Sequence, residues 1–392
     1  MTHALVIGGG IAGGAVAAHL ARAAREVILI ERKAGPHDKV CGEFISGEAL
    51  RYLRGLDIDL AALGAVPIAA INIYTPRTAT SSVLPFPAVS VSRLALDEAI
   101  LLRASACGAE LRRGRTVRAL RRLDEQWIAE LDDGSKLAAG DVFLATGKHD
   151  LRGWKRPPGR QNDLIAFKLH WRLSAASLAA LGPCVELFLF PGGYAGIEPV
   201  EHGILNLCLV VQRRHFSRLG GSWDRLLSTL RADFPPLHQT LSGAEACWDR
   251  PLAISSIPYG FVQTRGGPWR LGDQAAVIPS FTGDGIAIAL HSARMAAGYY
   301  LARRTAAEFQ SDLARDIGSH VRRATLLSRL LVRPTGQAFA MALAQIAPGL
   351  VRQIARGTRI PHRLLINADQ RIEMVRATAE CAGSSRRSAV RL

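Results

Sequence analysis

Ala4-Leu5-Val6-Ile7-Gly8-Gly9-Gly10-Ile11-Ala12-Gly13, followed by an alanine-rich stretch from Ala15 to Ala24 and then Val27-Ile28-Leu29-Ile30-Glu31, is the segment that decides how this chain reads. Its first apolar run has the uninterrupted character of a parallel strand buried on both faces. Gly8, Gly10 and Gly13 give G-x-G-x-x-G, the alanine-rich stretch predicts a helix, and 27–30 predicts a second buried strand ending on Glu31. Strand, glycine turn, helix, strand and acid stand in the order of a dinucleotide-binding unit. Gly8 permits the tight turn, Gly10 lets a pyrophosphate approach the backbone, and Gly13 allows close helix packing. The helix N-terminus offers free N–H groups and positive potential to the phosphates. Glu31, 23 residues after Gly8, is placed to accept hydrogen bonds from an adenosine ribose. NAD and FAD share this fingerprint, so the segment alone does not choose between them.

A second segment makes the choice. Trp269-Arg270-Leu271 leads into Gly272-Asp273, then Pro279, Gly283-Asp284-Gly285 and an apolar helix from Ile286 to Ala297. Asp273 at a strand end is placed to accept hydrogen bonds from a polyol. The small residues at 283–285 open a helix whose amides face a second electron-rich group. FAD carries both, as its ribityl chain and the pyrimidine edge of its ring; NAD carries neither.

From residue 4 to about residue 300 the chain resembles the FAD-dependent oxidoreductases of the para-hydroxybenzoate hydroxylase and geranylgeranyl reductase superfamily. The resemblance implies Gly272 and Asp273 at the ribityl chain, and Pro279, Gly283, Asp284, Gly285 and Ile286 beneath the flavin ring. It implies Arg93, in Val91-Ser92-Arg93, near the flavin and Val117 near the adenine. Ala145-Thr146-Gly147 matches the strand end that returns to the cofactor, and Ile11, Ala12 and Arg32 complete the set at the glycine turn and beside Glu31. The implied fold is α/β: a discontinuous, Rossmann-like FAD-binding domain of the glutathione reductase type, with an inserted, mainly antiparallel substrate sheet and a helical C-terminal region. The expected division is 1–70, 91–160 and 265–302 for FAD binding, 71–90 and 161–264 for the sheet, and 303–392 for the helices and a flexible tail.

Lys39-Val40-Cys41-Gly42-Glu43-Phe44 follows the second strand, and a Cys-Gly pair here is similar to the geranylgeranyl reductases. Cys41 is a pocket candidate and, with Gly42, a cofactor contact; the competing reading is a buried structural thiol. Glu43 is a second pocket candidate. Strands are expected over 165–173, 185–190, 194–200, 204–211 and 253–259, the run of a sheet that covers the flavin. Tyr194 is a third pocket candidate, although a sheet tyrosine more often packs. Ala195 and Gly196 replace a tryptophan expected from the reductase and halogenase segment, which weighs against halogenation. The loop Lys148-His149-Asp150-Leu151-Arg152-Gly153-Trp154-Lys155-Arg156 lacks the Asp-Gly of the aromatic hydroxylases. It reads as a solvated basic loop or, alternatively, as a dock for a nicotinamide phosphate. NADH or NADPH is the expected electron donor, with no second G-x-G-x-x-G to bind it.

Composition bounds the rest. The 392 residues are 48% hydrophobic and 21% charged, an ordinary globular balance. Net charge is +16, from 49 basic and 33 acidic residues, of which +10 falls in 301–392 and +6 in the first 300. Only 6 of the basic residues are Lys, and no basic run is interleaved with aromatics, so nucleic acid is not an expected partner. Six cysteines at 41, 107, 184, 208, 247 and 381 show no disulfide framework, and the 11 histidines show no metal-binding spacing. No signal peptide or membrane span is recognised, so a cytoplasmic location is expected. In Ser319–Arg333, Arg322, Arg329 and Arg333 share one helical face and Ala324, Leu327 and Leu331 another. Such a helix packs its apolar face on its own domain or rests on an anionic membrane from the inner side; the sequence leaves both open. Residues 383–388 read as a frayed tail.

The leading expectation is a monooxygenase that hydroxylates an apolar or aromatic, polyketide-like substrate through a flavin hydroperoxide. The alternative is an FAD-dependent reductase or dehydrogenase of isoprenoid or polyketide carbon–carbon bonds, favoured by Cys41-Gly42 and the missing Asp-Gly. No residue is assigned as catalytic, and no metal is expected.

Overall fold

The apolar run at 4–7 becomes the centre of a seven-stranded sheet. In the computed structural model, which describes residues 2–346 together with Gln353 and Arg359, Thr2–Ile7 pairs in parallel with Val27–Glu31 on one side and Lys136–Leu144 on the other. Glu110–Arg113 and Trp269–Arg270 extend the parallel part, while Val117–Leu123 and Gln126–Leu131 join as an antiparallel hairpin. All five residues of Val27–Glu31 are buried, as expected of a strand covered on both faces. The helix Ile11–Arg22 starts at the glycine turn itself, four residues before the alanine-rich stretch, and packs against helices Arg93–Ala106 and Gly285–Leu301.

The second sheet has nine strands. Its long members are Leu164–Arg172, Ile204–Gln212, Gly193–Val200, Cys184–Phe190, Val66–Tyr74 and Ala79–Ser90, paired in that order, with Phe44–Ser46 at the far edge. All pairings are antiparallel except that of Cys184–Phe190 with Val66–Tyr74. Four strands expected from the sequence lie within a residue of their predicted bounds. The fifth, expected over 253–259, stops at Ser255. Ser256 takes a left-handed φ of 57°, and Pro258 has no N–H to give to a ladder. The sheet begins at Val66 and also takes in 44–46, short segments with no alternation to announce them.

Beyond residue 303, the helix Ala306–Leu331 opens on a capping box between Thr305 and Glu308. It buries Phe309, Leu313, Ile317, Val321 and Ala324 in the same core as the Gly285–Leu301 helix and leaves Arg322, Arg329 and Arg333 exposed. Its apolar face thus packs on its own domain. Phe309 stacks on Trp269 at 5.6 Å between centroids, and Trp269 packs on Phe143 at 5.4 Å. The helix Pro334–Ile346 follows after two residues. The tail predicted at 383–388 lies outside the described residues.

Because Phe309 is fully buried in this aromatic stack, truncation to alanine leaves a cavity that the rings around it cannot close. Phe309→Ala is expected to cost about 3–5 kcal/mol, read as a lowered urea midpoint at unchanged slope.

Candidate active site

One cavity of about 770 Å³ runs between the two sheets, within the range of small-molecule and cofactor sites. At one end it is lined by Gly8, Gly10, Ile11, Ala12, Glu31 and Arg32, and further along by Val117 and by Ala145, Thr146 and Gly147. Arg93, Gly272, Asp273, Gly283, Gly285 and Ile286 continue the wall, which closes around Cys41, Gly42 and Glu43. Residues from four distant parts of the chain therefore meet on one surface.

The glycine turn is sterically committed. Gly8 has φ 106°, and a Cβ there would lie 2.5 Å from the Ala145 carbonyl oxygen. A Cβ on Gly13 would lie 1.8 Å from the Gly8 carbonyl oxygen, so Gly13 serves the packing of helix on turn without lining the cavity. Gly10 caps the helix with no side-chain bond, and no acid stands in the first turn. Its free amides face the cavity, and Lys39 Nζ and Arg93 Nη2 lie 3.5 and 3.6 Å from where a Gly10 Cβ would be. Open amides beneath two cations suit a pyrophosphate. Glu31 accepts from Gly9 N at 2.7 Å and Lys33 N at 2.9 Å. Each of its oxygens keeps a second lone pair for a ribose hydroxyl. The donor set and the volume of the cavity fit FAD.

The cations along the cavity are held by acids. Arg93 donates to both oxygens of Asp97, at 2.8 and 2.9 Å, and Lys39 donates to Asp97 Oδ2 at 2.7 Å. Burial alone would raise Asp97, but Arg93 and Lys39 hold its carboxyl below the usual carboxylate range. Lys148 meets Asp273 at 3.3 Å and donates to the Val40 carbonyl. Burial works against its charge, yet Asp273 holds its ammonium above the ordinary value. Arg156 is inside as well, bonded to Asp150, to the Lys148 carbonyl and to the Asp273 carbonyl. The loop expected to be solvated thus turns Lys148 and Arg156 inward, because two acceptors await the first and three the second; Arg152 and Lys155 stay exposed.

Glu43 forms the floor of the cavity. It is fully buried, has a left-handed φ of 56°, and accepts from Lys168 Nζ at 2.5 Å, His170 Nε2 at 2.8 Å and Arg93 N at 2.6 Å. Burial would push its carboxyl up, but Lys168 and then His170 bring it below the ordinary range. Lys168 also reaches Asp38 at 3.0 Å. Among the described residues, Asp38, Glu43 and His170 are the one set close enough to share a metal, and the Lys168 ammonium already bonds two of them. Neighbouring Glu198 accepts from Asn206 at 2.6 Å, and burial pushes its carboxyl up to about 8. Cys41 lies in the wall, its sulfur accepting from Glu43 N at 3.4 Å. Val40, Ala166, Ile254, Ile257, Val277 and Ile278 give the wall an apolar stretch, with Trp248, Arg250, Tyr259 and Ser280 also in the lining.

Besides Gly13, three sequence candidates sit off the cavity wall. Tyr194 is buried behind the wall, its hydroxyl 3.0 Å from Ser280 Oγ, and it is Ser280 that lines the cavity. Asp284 turns away to pair with Arg359 at 2.9 Å, and Pro279 also lies off the wall. Lys168, His170 and Glu198 were missed. The available signal was two ionisable residues at alternate positions of an otherwise apolar strand, which share a face with Ala166.

No protein-family model matches the chain. A menaquinone reductase of Mycobacterium tuberculosis is 26% identical over 352 residues, covering 84% of each chain. Among solved structures, a variant of the halogenase PltM in complex with FAD superposes with a TM-score of 0.71 at 16% identity, covering 97% of this chain and 92% of that one. PqsL, a probable FAD-dependent monooxygenase of Pseudomonas aeruginosa, gives 0.66 at 17% identity, covering 86% and 98%. The fold is therefore that of the FAD-dependent halogenases and monooxygenases. With the dinucleotide fingerprint lining its cavity, the chain is an FAD-dependent oxidoreductase.

Two outcomes test the floor. Lys168→Met strips Glu43 of its main counter-charge and is expected to cost about 3–5 kcal/mol in urea unfolding. Glu198 has a raised folded pKa, so between the ordinary 4.5 and about 8 the folded state holds the extra proton and stability falls as pH rises. Glu198→Gln removes that fall. Measured against the parent, its stability should improve from about pH 5 to about pH 8, by an amount on the order of a few kcal/mol.

Proposed function

We propose that the protein is an FAD-dependent reductase that adds hydrogen across a carbon–carbon double bond of an apolar, prenyl-type substrate. The observation that carries this reading is a cavity with an apolar stretch of wall beside the Cys41 thiol, whose sulfur accepts from the Glu43 amide, while Lys168 and His170, outside the lining, hold the Glu43 carboxylate. Bound FAD supplies the hydride. The chain supplies the rest: Val40, Ile254 and Ile257 exclude water from the substrate, and the Glu43 amide orients the Cys41 thiol toward the cavity. A thiol held there is the proton donor for the second carbon. The menaquinone reductase relative supports the reading, since a prenylated quinone is an apolar substrate of this kind.

Monooxygenation is the second reading, favoured by the fold shared with PqsL and by the water-excluding sheet. Halogenation is not proposed, since Ala195 and Gly196 stand where the tryptophan-bearing segment is expected.

The two readings separate in the absence of oxygen. Protein reduced with NADPH or NADH and mixed anaerobically with a prenylated quinone is expected to return to oxidised flavin, with two hydrogen atoms added to the prenyl chain of the product and retained when the quinol is reoxidised to the quinone. Cys41→Ala should keep its flavin yet turn over about a hundredfold more slowly. No anaerobic product, together with an oxygen-containing product under air, would establish the monooxygenase instead.

A further inference from the structure

We infer that the two C-terminal helices, Ala306–Leu331 and Pro334–Ile346, dock the protein on the surface of an anionic lipid bilayer. The sequence isolates the region: from 317 to 368 there are eight Arg and no Asp or Glu. In the structure the inner face of the first helix is spent on the protein core, so its outer face remains to be explained. That face exposes Leu326 and Leu330, 61% and 43% accessible, on one stripe with Arg322. The following helix exposes Phe339 at 68% and Ile346 at 83%, seven residues apart and so on one face. Four of the eight large exposed hydrophobic side chains among the described residues fall within these 21 positions.

The charges choose the occupant. Arg322, Arg323, Arg329 and Arg333 are exposed beside these apolar side chains and have no ion-pair partner among the described residues. Guanidinium groups match phosphate in two-pronged geometry, and apolar side chains between them enter the boundary below the headgroups. A second copy of the chain is a poor occupant, because a symmetric contact would set one all-basic patch against another. The contact is at the surface, since no described helix is long and apolar enough to cross a membrane.

The inner side of the same helices packs beside the cavity. Leu331, Val332 and Met341 share a core with Ile257, Tyr259 and Val277, which line the cavity. Gln337 Nε2 donates at 2.7 Å to the Phe190 carbonyl of the substrate sheet. Adsorption through the outer side therefore holds the cavity behind these helices, near the bilayer where the prenyl lipid of the proposed function resides.

The test is co-sedimentation of the full flavin-loaded protein with vesicles, without substrate. Vesicles of phosphatidylcholine with phosphatidylglycerol are expected to take the protein down at about 0.05 M salt and release most of it at about 0.5 M. Phosphatidylcholine alone should retain little. Arg329→Gln with Arg333→Gln should weaken partition roughly thirtyfold, and Phe339→Ser should weaken it with flavin content and helicity unchanged. Equal binding to neutral vesicles, no binding to either, or anionic binding untouched by these substitutions overturns the proposal. So does a chain that ignores vesicles but loses self-association, or a co-purifying protein partner, on Phe339→Ser. Because no turnover is read, vesicle binding without prenyl reduction would sink the reductase reading alone.

Discussion

Glu43 receives three donors from two parts of the fold: the Lys168 ammonium and the His170 ring from the second sheet, and the Arg93 amide from the start of the helix that packs on Ile11–Arg22. A buried carboxylate without partners is so costly that it would neutralise, so each of these contacts is required by the others. The same residue takes a left-handed φ, and from there Phe44–Ser46 enters the second sheet. The path of the chain between the two sheets, the position of Cys41 two residues earlier and the direction of the Arg93 helix are thereby tied to one charge. A hydrophobic contact at this junction would tolerate sliding. Three hydrogen bonds on two oxygens do not.

The cations around the cofactor cleft follow the same logic at lower stakes. Lys39 and Arg93 are anchored on Asp97, Lys148 on Asp273 and Arg156 on Asp150. Each positive group is held in place before a ligand arrives, so binding an anion there need not order a long side chain first. The acids that hold them also keep the cleft from being a bare positive field, which would attract any polyanion. The selectivity for a dinucleotide then rests on shape, in the glycine turn that admits a pyrophosphate at Gly10 and the Glu31 carboxylate beside it.

What the sequence made readable was local. Gly8 to Glu31 spans one strand, one turn and one helix, and its meaning depends on neighbours a few residues away; the same holds for the turn at 283–285. The four long strands of the second sheet announced themselves through β-branched and aromatic runs. The floor of the cavity did not, because its partners are 125 to 130 positions apart in sequence and nothing in either segment names the other. Tyr194 and Asp284 misled for the complementary reason. Each lies next to a cavity-lining residue, Tyr194 through Ser280 and Asp284 between Gly283 and Gly285, and a side chain's direction is set by packing that a motif does not encode. The basic loop reads as solvated because Asp273, whose carboxylate meets Lys148 and whose carbonyl accepts from Arg156, comes beside it only once the strands at 136–144 and 269–270 pair.

The two carboxyls at the floor show how one small region holds both a charge and a proton. Glu43, bonded by the Lys168 ammonium, the His170 ring and the Arg93 amide, is held below the ordinary carboxylate range; Glu198, buried with only an amide donor, is pushed up to about 8, and the negative charge of Glu43 adds to that shift. Two like acids in one buried region cannot both ionise cheaply, so the environment divides them. Removing the Lys168 charge would not simply weaken one bond, because Glu43 would then compete for the proton and the division would collapse. The lysine does not line the cavity itself, but it bonds Asp38 and Glu43, which do, and so acts on the charge of the wall. That is why a side chain with no surface exposure and no motif around it belongs to the site.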